Sequence, residues 1–363
     1  MAKRRFCADM IVPHRSQATV LLFFFTSLLF TCVRAQDARF NQLHATPLLT
    51  NPALTGVMNA NLRLTLNYRT SYTTVADSEG FRSMAVASEF RRPVGRQNSV
   101  GLGIQLQHDR AATHNYVRSQ AVVSASYQQA VGQGSFLALG VQGGVGQRGF
   151  DGNKLWYSNQ YFVDGGSRRA YLDRRLSNGE PFTNLGTQLY ADVNIGLVYF
   201  ASYGDRQGLY AGGSAYHLSR PNLSPLPGGE DLLDQRYVVH AGGELPLGSG
   251  DMSLLPSGRV MQQGPSLSGL LGAAMRYTQR RLGEVALRAG LWTHLIRDRD
   301  EGLALGSLIA LVSLEYEQYH VTVSYDLAMG PLQVSTGTRG GFELGVVYLH
   351  EGPGRMRVDC PNF

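Results

Sequence analysis

One pattern recurs from about Leu62 to His350 of this 363-residue chain: short stretches in which apolar side chains alternate with small, polar or charged ones. The first stretch alternates Leu62, Leu64, Leu66 and Tyr68 with Arg63, Thr65, Asn67 and Arg69. Successive side chains of a β-strand point to opposite faces, so period two predicts strands with one apolar and one polar face. Many such strands in one chain are typical of a closed antiparallel barrel that spans a membrane.

The pattern predicts 14 strands, an even number such as single-chain bacterial barrels have. We place them near 62–70, 81–90, 99–107, 117–129, 135–147, 194–203, 207–217, 236–247, 252–259, 267–277, 283–293, 303–316, 319–329 and 341–351. The stretch at 252–259 fits least well because Pro256 has no N–H to donate to a neighbouring strand. We therefore expect an all-β protein, a transmembrane antiparallel β-barrel over residues 61–351.

The predicted connections alternate between long and short. Those after odd-numbered strands are 71–80, 108–116, 148–193, 218–235, 260–266, 294–302 and 330–340. Those after even-numbered strands are 91–98, 130–134, 204–206, 248–251, 278–282 and 317–318. Outer-membrane barrels have short periplasmic turns and longer outside loops. The alternation therefore predicts that both chain ends lie in the periplasm.

Charged residues indicate which face of the strands meets lipid. A basic side chain that faces lipid at mid-depth costs about 2–4 kcal/mol. We therefore expect the lumen to be lined by Arg63, Arg69, Arg276, Arg288, Glu284, Asp326 and Glu343. Aromatic girdles at the two membrane surfaces are expected to include Tyr68, Tyr127, Tyr203, Tyr277, Trp292 and Tyr348. So many strands enclose a wide lumen, and in water such a cylinder would expose its apolar outer wall, which excludes a soluble barrel.

Residues 1–35 have the features of a secretory signal peptide. A basic start precedes an apolar run from Val20 to Phe30, and Val33 and Ala35 allow cleavage before Gln36. The alternatives are a membrane-spanning helix, which needs about 20 apolar residues, and a lipoprotein anchored at Cys32. Cleavage leaves 328 residues with a net charge of +2, because the signal carries five basic residues and one acidic residue. That small charge gives no reason to expect a nucleic-acid partner.

Motifs for chemistry are missing from the predicted mature chain. Only Cys360 remains after cleavage, so neither an internal disulfide nor a cysteine-based metal cluster is expected. The histidines lack ligand spacing, and His108, Asp109 and His114 are most simply part of one solvated loop. No nucleophile elbow stands in suitable surroundings. We expect no catalytic, cofactor-binding or metal-binding residue and no enzyme activity.

Three segments lie outside the predicted strands. Residues 36–60, called the leader below, contain Pro47, Pro52 and Gly56, which exclude a long helix or strand. The leader is interpreted as a plug folded into the lumen or as a disordered periplasmic segment. The loop 148–193 combines aromatic and basic residues and is interpreted as a partner-binding surface or as a self-packed cap over the barrel mouth. The tail 352–363 is expected in the periplasm.

Motifs spread along the chain resemble those of one family. The leader holds an aromatic-x-Gln and an Asn-Pro-Ala-x-x-Gly, at 40–42 and 51–56. Residues 212–222 read Gly-x-Ser-x-x-His-Leu-x-x-Pro-Asn. Shorter matches are Tyr68-Arg69, Gly101-Leu102-Gly103, Ser324-Tyr325-Asp326 and the closing Cys360-Pro361 with Phe363. Together these residues are similar to the PorP/SprF family of outer-membrane proteins of the type IX secretion system.

The resemblance implies a barrel related to long-chain fatty-acid transporters that serves protein secretion or gliding motility from the outer membrane. The implied partners are a periplasmic ring lipoprotein, a peptidoglycan-binding component, a secreted adhesin or other exported protein, and outer-membrane lipid. A general porin or hydrophobic-solute transporter is the alternative function, and a barrel-embedded hydrolase is a third. Candidate plug or partner contacts are Phe40, Asn41, Gln42, Asn51, Pro52, Trp156, Tyr161, His217, Pro221 and Asn222.

Overall fold

The structure is a computed structural model that describes residues 37–71, 80–95, 97–111, 116–150, 158–163, 170–173, 175–176, 188–204, 206–224, 228–248, 251–279, 285–298, 302–329 and 339–351. The predicted signal peptide (1–35), the tail 352–363 with Cys360, and the side chains of Trp156 and Glu284 lie outside the described residues. Among the described residues, no helix has the length and apolar character needed to cross a membrane.

Fourteen antiparallel strands close into a barrel, and two further short strands pair with each other. The barrel strands are β1 (Leu62–Ser71), β2 (Phe81–Val94), β3 (Asn98–Ala111), β4 (Tyr116–Gly132), β5 (Ser135–Phe150), β8 (Gln188–Gly204), β9 (Gln207–Tyr216), β10 (Arg236–Leu247), β11 (Met252–Gln263), β12 (Ser266–Gln279), β13 (Val285–Asp298), β14 (Gly302–Tyr316), β15 (Tyr319–Ala328) and β16 (Arg339–His350). The short pair, β6 (Tyr161–Val163) and β7 (Ala170–Leu172), belongs to the connection between β5 and β8.

Each barrel strand corresponds to one of the predicted stretches, so the predicted fold class and strand number are confirmed. Each strand pairs with its sequence neighbours in the barrel, and β1 closes the barrel on β16 with Leu62 opposite His350. The faces also follow the prediction. Leu64 and Leu66 are exposed on the outer wall, whereas Arg63 is buried inside. The remaining described charges of the predicted set, Arg69, Arg276, Arg288, Asp326 and Glu343, also point inward.

The strict alternation of loop lengths is wrong in part. The strand ends joined by the long connections 72–80, 151–187, 217–235 and 329–338 are all at one end of the barrel, called the long-loop end below. At this same end, however, β3–β4, β11–β12 and β13–β14 are joined by only 112–115, 264–265 and 299–301. These strands continue past their apolar stretches, because polar residues still pair there: Gln263 lies opposite Arg236. The predicted loop 148–193 is shortened in the same way, to 151–187. The opposite end is called the short-turn end.

Two local features of the strands qualify the sequence analysis. Pro256 does lie in β11, but the pairing of β11 with β10 is interrupted between Leu254 and Ser257, where Pro256 would have to donate. Trp292 was predicted in a girdle and instead points inward, where its Nε1 donates to Ser257 Oγ at 3.0 Å. Inward-facing glycines clear space for its indole, since a Cβ on Gly272 or Gly290 would overlap the ring. The girdle tyrosines with described exposure, such as Tyr127 and Tyr277, do face outward.

Candidate functional site in the barrel lumen

The described part of the leader forms three short helical turns separated by prolines. They are a 3₁₀ helix at Leu43–Ala45, an α-helix at Pro47–Thr50 and a 3₁₀ helix at Pro52–Leu54. Proline suits the first position of a helix, where its missing N–H and fixed φ cost nothing. Asn51 caps the last turn, because its side chain accepts the backbone N–H of Ala53 at 2.8 Å. Gly56 then turns the chain with φ of +68°, a conformation that glycine adopts without strain.

The end of the leader packs into an apolar cluster on the inner face of the barrel wall. Its Ala53, Leu54 and Val57 are buried against inward-facing residues of β5, β8 and β9. These wall residues are Phe136, Ala138, Val198, Phe200 and Tyr210. The rings of Phe136 and Phe200 stack with centroids 5.0 Å apart. The alternation of the strands usually places polar groups on the inner face, whereas this patch of it is apolar and is covered by the leader.

The start of the leader is held by two carboxylates of the opposite wall. Glu343 on β16 accepts the backbone N–H groups of Asn41 at 2.8 Å and Gln42 at 3.1 Å. The Asn41 side chain donates to Asp326 Oδ1 at 2.6 Å, and Arg69 pairs with both carboxylates. The Gln42 side chain donates to Ser324 Oγ and to the Glu343 carbonyl, both at 3.1 Å. Charged acceptors make stronger hydrogen bonds than neutral ones, so this end is firmly positioned.

The middle of the leader is held by Asn51, which is fully buried. Its Nδ2 lies 3.1 Å from the Leu197 carbonyl, 3.0 Å from the Gly213 carbonyl and 3.1 Å from His240 Nε2. Two backbone carbonyls of the leader near Asn51 also accept hydrogen bonds from hydroxyl groups of the wall. Tyr216 OH donates to the Leu48 carbonyl at 3.0 Å, and Ser214 Oγ donates to the Thr50 carbonyl at 2.8 Å.

The last part of the leader is bonded to β1, β2 and β4. Glu89 accepts the Gly56 N–H at 3.0 Å and forms a two-point ion pair with Arg63, whose side chain also donates to the Val57 carbonyl at 3.2 Å. Ser126 Oγ and Gln128 Nε2 donate to the Thr55 carbonyl at 2.6 and 3.1 Å. The leader is therefore bonded to strands on several sides of the lumen. Buried polar groups that are satisfied in this way give a segment one defined position.

Four glycines of the inner wall allow the leader to lie directly on the strands. They are Gly101, Gly140, Gly196 and Gly345, on β3, β5, β8 and β16. A Cβ on these glycines would overlap, respectively, the Thr55 carbonyl, the Pro52–Ala53 peptide, Asn51 Oδ1 and Gln42 Oε1. We call these four positions the glycine seats. They contact the same leader residues that carry the Phe-Asn-Gln and Asn-Pro-Ala-x-x-Gly motifs.

Two further leader residues complete the contacts. Phe40 is buried, and its carbonyl accepts a hydrogen bond from Arg259 at 2.8 Å. His44 Nε2 lies 3.0 Å from Thr322 Oγ1. Burial, assisted by the nearby positive charge of Arg288, lowers the pKa of His44 to about 3. The imidazole is therefore neutral at physiological pH.

The His217–Asn222 segment forms a rigid turn at the long-loop end. His217 has φ of +61°. Its ring Nδ1 lies 2.8 Å from Asp192 Oδ2, and its backbone N–H donates to Asn194 Oδ1 at 2.8 Å. The Asn222 side chain accepts the N–H groups of Ser224 and Asp231 at 3.0 and 2.8 Å.

The Pro221 carbonyl in this turn accepts the N–H of Leu233 at 2.9 Å, and this bond and those of Asn222 join the start of the β9–β10 connection to its end, whereas His217 bonds to β8. Such side-chain to backbone bonds substitute for regular secondary structure in loops.

The structure thus divides the predicted site residues into groups. Phe40, Asn41, Gln42, Asn51 and Pro52 lie together inside the barrel. The turn at 217–222 lies elsewhere, at the long-loop end, and Tyr161 is exposed on β6 with a relative accessibility of 47%. Trp156 is outside the described residues.

Two features of the lumen were not predicted from the sequence. The first is the contact of the glycine seats with the leader, although these glycines share the inward positions of the polar residues on their strands. The second is a row of alternating charges near the short-turn end, which we call the ionic belt: Arg206, Glu244, Arg276, Glu315 and Arg288. Charged residues at inward positions of neighbouring strands were the available signal for it.

The ionic belt runs across the inner wall from the β8–β9 turn to β14. Glu244 Oε1 lies 3.4 Å from Arg206 Nε and 3.3 Å from Arg276 Nη1. Glu315 Oε2 lies 2.7 Å from Arg276 Nη2, and Arg288 contacts the other oxygen of Glu315. Their side chains are at most 13% exposed. Among the described residues there is no group of His, Cys, Asp or Glu that could hold a metal ion.

Solved structures similar to the chain include the CymD monoaromatic hydrocarbon channel, at 10% identity and a TM-score of 0.48, with 88% of this chain and 96% of that chain covered. CdiB from Acinetobacter baumannii is similar at 7% identity and a TM-score of 0.45, over 80% of this chain and 60% of that one. BamA from Haemophilus ducreyi lacking POTRA domains 1–3 is similar at 10% identity and a TM-score of 0.40, over 80% and 70%.

No curated protein matches the chain significantly in sequence. A sequence model of one family, described as type IX secretion system membrane protein PorP/SprF, matches residues 33–348. The match covers the leader, every barrel strand up to Tyr348, and the turn at 217–222.

Proposed function

The chain belongs to the PorP/SprF family of type IX secretion system membrane proteins, and we propose that it is a docking component whose lumen is plugged by the leader. In this proposal the short-turn end and both chain ends face the periplasm and engage the ring lipoprotein and the peptidoglycan-binding component. The long-loop end holds a secreted adhesin or other exported protein at the cell surface. The family and the closed barrel together support a location in the outer membrane.

The observation that carries the proposal is the position of the leader. A diffusion pore needs a continuous aqueous lumen, as in porins. Here Asn51 and its neighbours are bonded to wall residues at mid-height of the barrel, and Leu54 is buried in an apolar cluster with the wall. These contacts favour a plugged barrel over the general porin or hydrophobic-solute transporter, and they serve no evident catalytic step.

The long-loop end offers a surface suited to a protein partner. On the β6–β7 pair, Tyr161 and Tyr171 are 47% and 55% exposed, and Phe162 stacks on Tyr171 with ring centroids 5.6 Å apart. Aromatic residues are enriched at the centres of protein interfaces. The β6–β7 aromatic residues therefore support docking of the surface protein at this end.

Crosslinking in intact cells, followed by detergent extraction and pull-down of the protein, tests the proposal. We expect ring components and one secreted surface protein in the wild-type sample. A triple variant, Tyr161→Ser, Phe162→Ser and Tyr171→Ser, should lose the surface protein and keep the ring components, while other secreted proteins are unaffected.

The matched control is Tyr203→Ser, which removes one exposed tyrosine from β8 near the short-turn end. It should retain the surface protein. Recovery of the wild-type barrel without any protein partner, together with high conductance for solutes, would support a porin instead.

A further inference from the structure

Two arginines stand side by side on the outer wall of β2 and β3, near the long-loop end. Arg82 shares its face of β2 with Met84, which is 42% exposed, and Arg110 shares its face of β3 with Leu106, which is 55% exposed. Arg82 and Arg110 are direct partners in the register of the two strands. Residues in this relation have Cβ atoms about 4.5–5.5 Å apart. Two guanidinium groups therefore leave the lipid-facing wall together.

This arrangement is unfavourable unless an anion joins it. Like charges directly opposite each other destabilise an antiparallel pair of strands. Within the part of the chain that the structure describes, neither Arg82 nor Arg110 forms an ion pair or a side-chain hydrogen bond. The carboxylates of strands β1–β4 are Glu89 and Asp109, and both are buried on the inner face. A counter-ion from outside the chain would therefore offset the repulsion between the two arginines.

The height of the pair on the barrel indicates where that anion comes from. Tyr68 of the aromatic girdle lies opposite Met84, whereas Arg82 lies opposite Thr70, one outward position closer to the long-loop end. Two residues along a strand span about 7 Å. The polar headgroup layer on each side of the hydrocarbon core is about 5–7 Å thick. The two guanidinium groups are therefore level with the lipid headgroups.

We propose that Arg82 and Arg110 together bind the phosphate monoester of a lipid headgroup in the leaflet at the long-loop end. Guanidinium groups present planar sets of N–H donors that match phosphate oxygens two at a time. A phosphate monoester carries a charge of about −1.5 to −2 at neutral pH, which balances the two arginines. The binding site goes beyond the docking role and requires only that the barrel lies in a membrane.

The surroundings of the pair favour a lipid over a free phosphate ion. Towards the middle of the wall, the outer face of β2 and β3 continues with Met84, Val86, Ile104 and Leu106, all of them exposed. The acyl chains of a lipid whose phosphate lies between the arginines would cover these apolar side chains. A free ion would gain the charge contacts but not this apolar contact.

Native mass spectrometry of the purified full-length barrel in detergent tests the proposal. The probe is a short-chain phosphatidic acid, and phosphatidylcholine with the same chains is the lipid without a phosphate monoester. The wild type should bind one phosphatidic acid in preference to phosphatidylcholine. Arg82→Gln and Arg110→Gln should each weaken this binding about five-fold, and the double variant more than about ten-fold. Inorganic phosphate at the same concentration should not displace the lipid; displacement would assign the site to free phosphate and overturn the proposal.

Arg297→Gln is the matched control. Arg297 is also an exposed arginine at the long-loop end, but it lies on β13 opposite Leu303 and not opposite a second arginine. This variant should bind phosphatidic acid as the wild type does. The double variant Arg82→Lys/Arg110→Lys keeps both charges but loses the paired N–H donors, so its affinity should fall between those of the wild type and the glutamine double variant.

Three results would overturn the proposal: undiminished binding by the glutamine double variant, equal weakening by Arg297→Gln, or wild-type affinity in the lysine double variant. The last would mean that general attraction of charge suffices. Heat-modifiable electrophoretic migration checks that each variant is folded. None of these outcomes alters the docking test, which measures protein partners rather than bound lipid.

Discussion

Two sides of the lumen near the short-turn end are filled by different chemistry. On β3, β5, β8 and β9 the leader is packed by shape: its backbone lies on glycines, and its apolar residues contact wall aromatics. On β10–β14 and in the β8–β9 turn, the ionic belt is held mainly by ion pairs. Packing of the first kind tolerates little change in volume, whereas ion pairs separate and re-form without movement of the strands. The comparison indicates that the contacts on the first side depend on volume, whereas those of the ionic belt depend on charge.

The largest expected effect comes from methyl groups placed in two adjacent glycine seats. Gly140 and Gly196 face each other across β5 and β8, and a Cβ on either would overlap leader residues 51–53. Overpacking of this kind costs about 1–3 kcal/mol at each site. We expect the double variant Gly140→Ala/Gly196→Ala to release the leader, seen as hydrogen exchange and protease cleavage within residues 38–60.

The control for this pair is Gly143→Ala, also on β5 but facing outward, where the nearest atom to an added Cβ is the Asp192 carbonyl oxygen at 3.9 Å. Its leader should remain protected. Equal protection in the double variant and the control would mean that the leader is not fixed by shape, and the contrast between the two sides would fail.

A smaller effect is expected from Asn51→Ala, which tests whether hydrogen bonds add to shape. The substitution leaves the seats intact but removes the donor to the Leu197 and Gly213 carbonyls and the cap on Ala53. Loss of a buried, well-bonded amide costs about 1–3 kcal/mol. We expect faster exchange of the leader amides with the leader still largely in place. Asn98→Ala is the control: it removes an amide that donates to Tyr127 OH at 2.9 Å and accepts the Ala130 N–H at 3.0 Å but does not bond to the leader, so the leader should be unaffected.

The barrel itself was predictable because its signal is local. In single strands such as β3 and β15, the period-two pattern predicts which residues share a face. The apolar face points outward because polar side chains are costly in lipid. The contacts inside the lumen were not predictable in this way. The contacts of Gly196 with Asn51 and of Glu315 with Arg288 depend on strand register and on closure of the barrel. The sequence pattern of a single strand predicts neither the register nor the closure. The leader motifs were identified as candidates, but their partners on the wall were not.

The two wrong details have the same origin. Trp292 was assigned to a girdle from its residue type, although its position shares the inward face of Arg288. The space that admits it is made by Gly272, which lies opposite it on a different strand. The connection after β11 was predicted to span 260–266, yet residues up to Gln263 still pair with β10. Apolar patterning marks where a strand meets lipid, and strands of a barrel continue beyond that zone.

The smallest expected effect concerns His44, where the two sides of the lumen meet. The leader carries this residue, and the charged groups that act on it are Arg288 and Glu315 of the belt and His320 of β15. Its pKa of about 3 lies below the unfolded value of 6.5, so the released leader binds a proton more readily than the seated one. The stabilisation of the seated leader is therefore complete above about pH 6.5 and falls as the pH is lowered towards about 3.

Hydrogen exchange of the leader amides should accelerate as the pH is lowered from about 7 to about 5, after correction for intrinsic exchange rates. The variant His44→Gln should make this pH dependence weaker. If His44→Gln keeps the full pH dependence, proton uptake occurs elsewhere in the lumen, and the leader and the belt are not coupled through this residue.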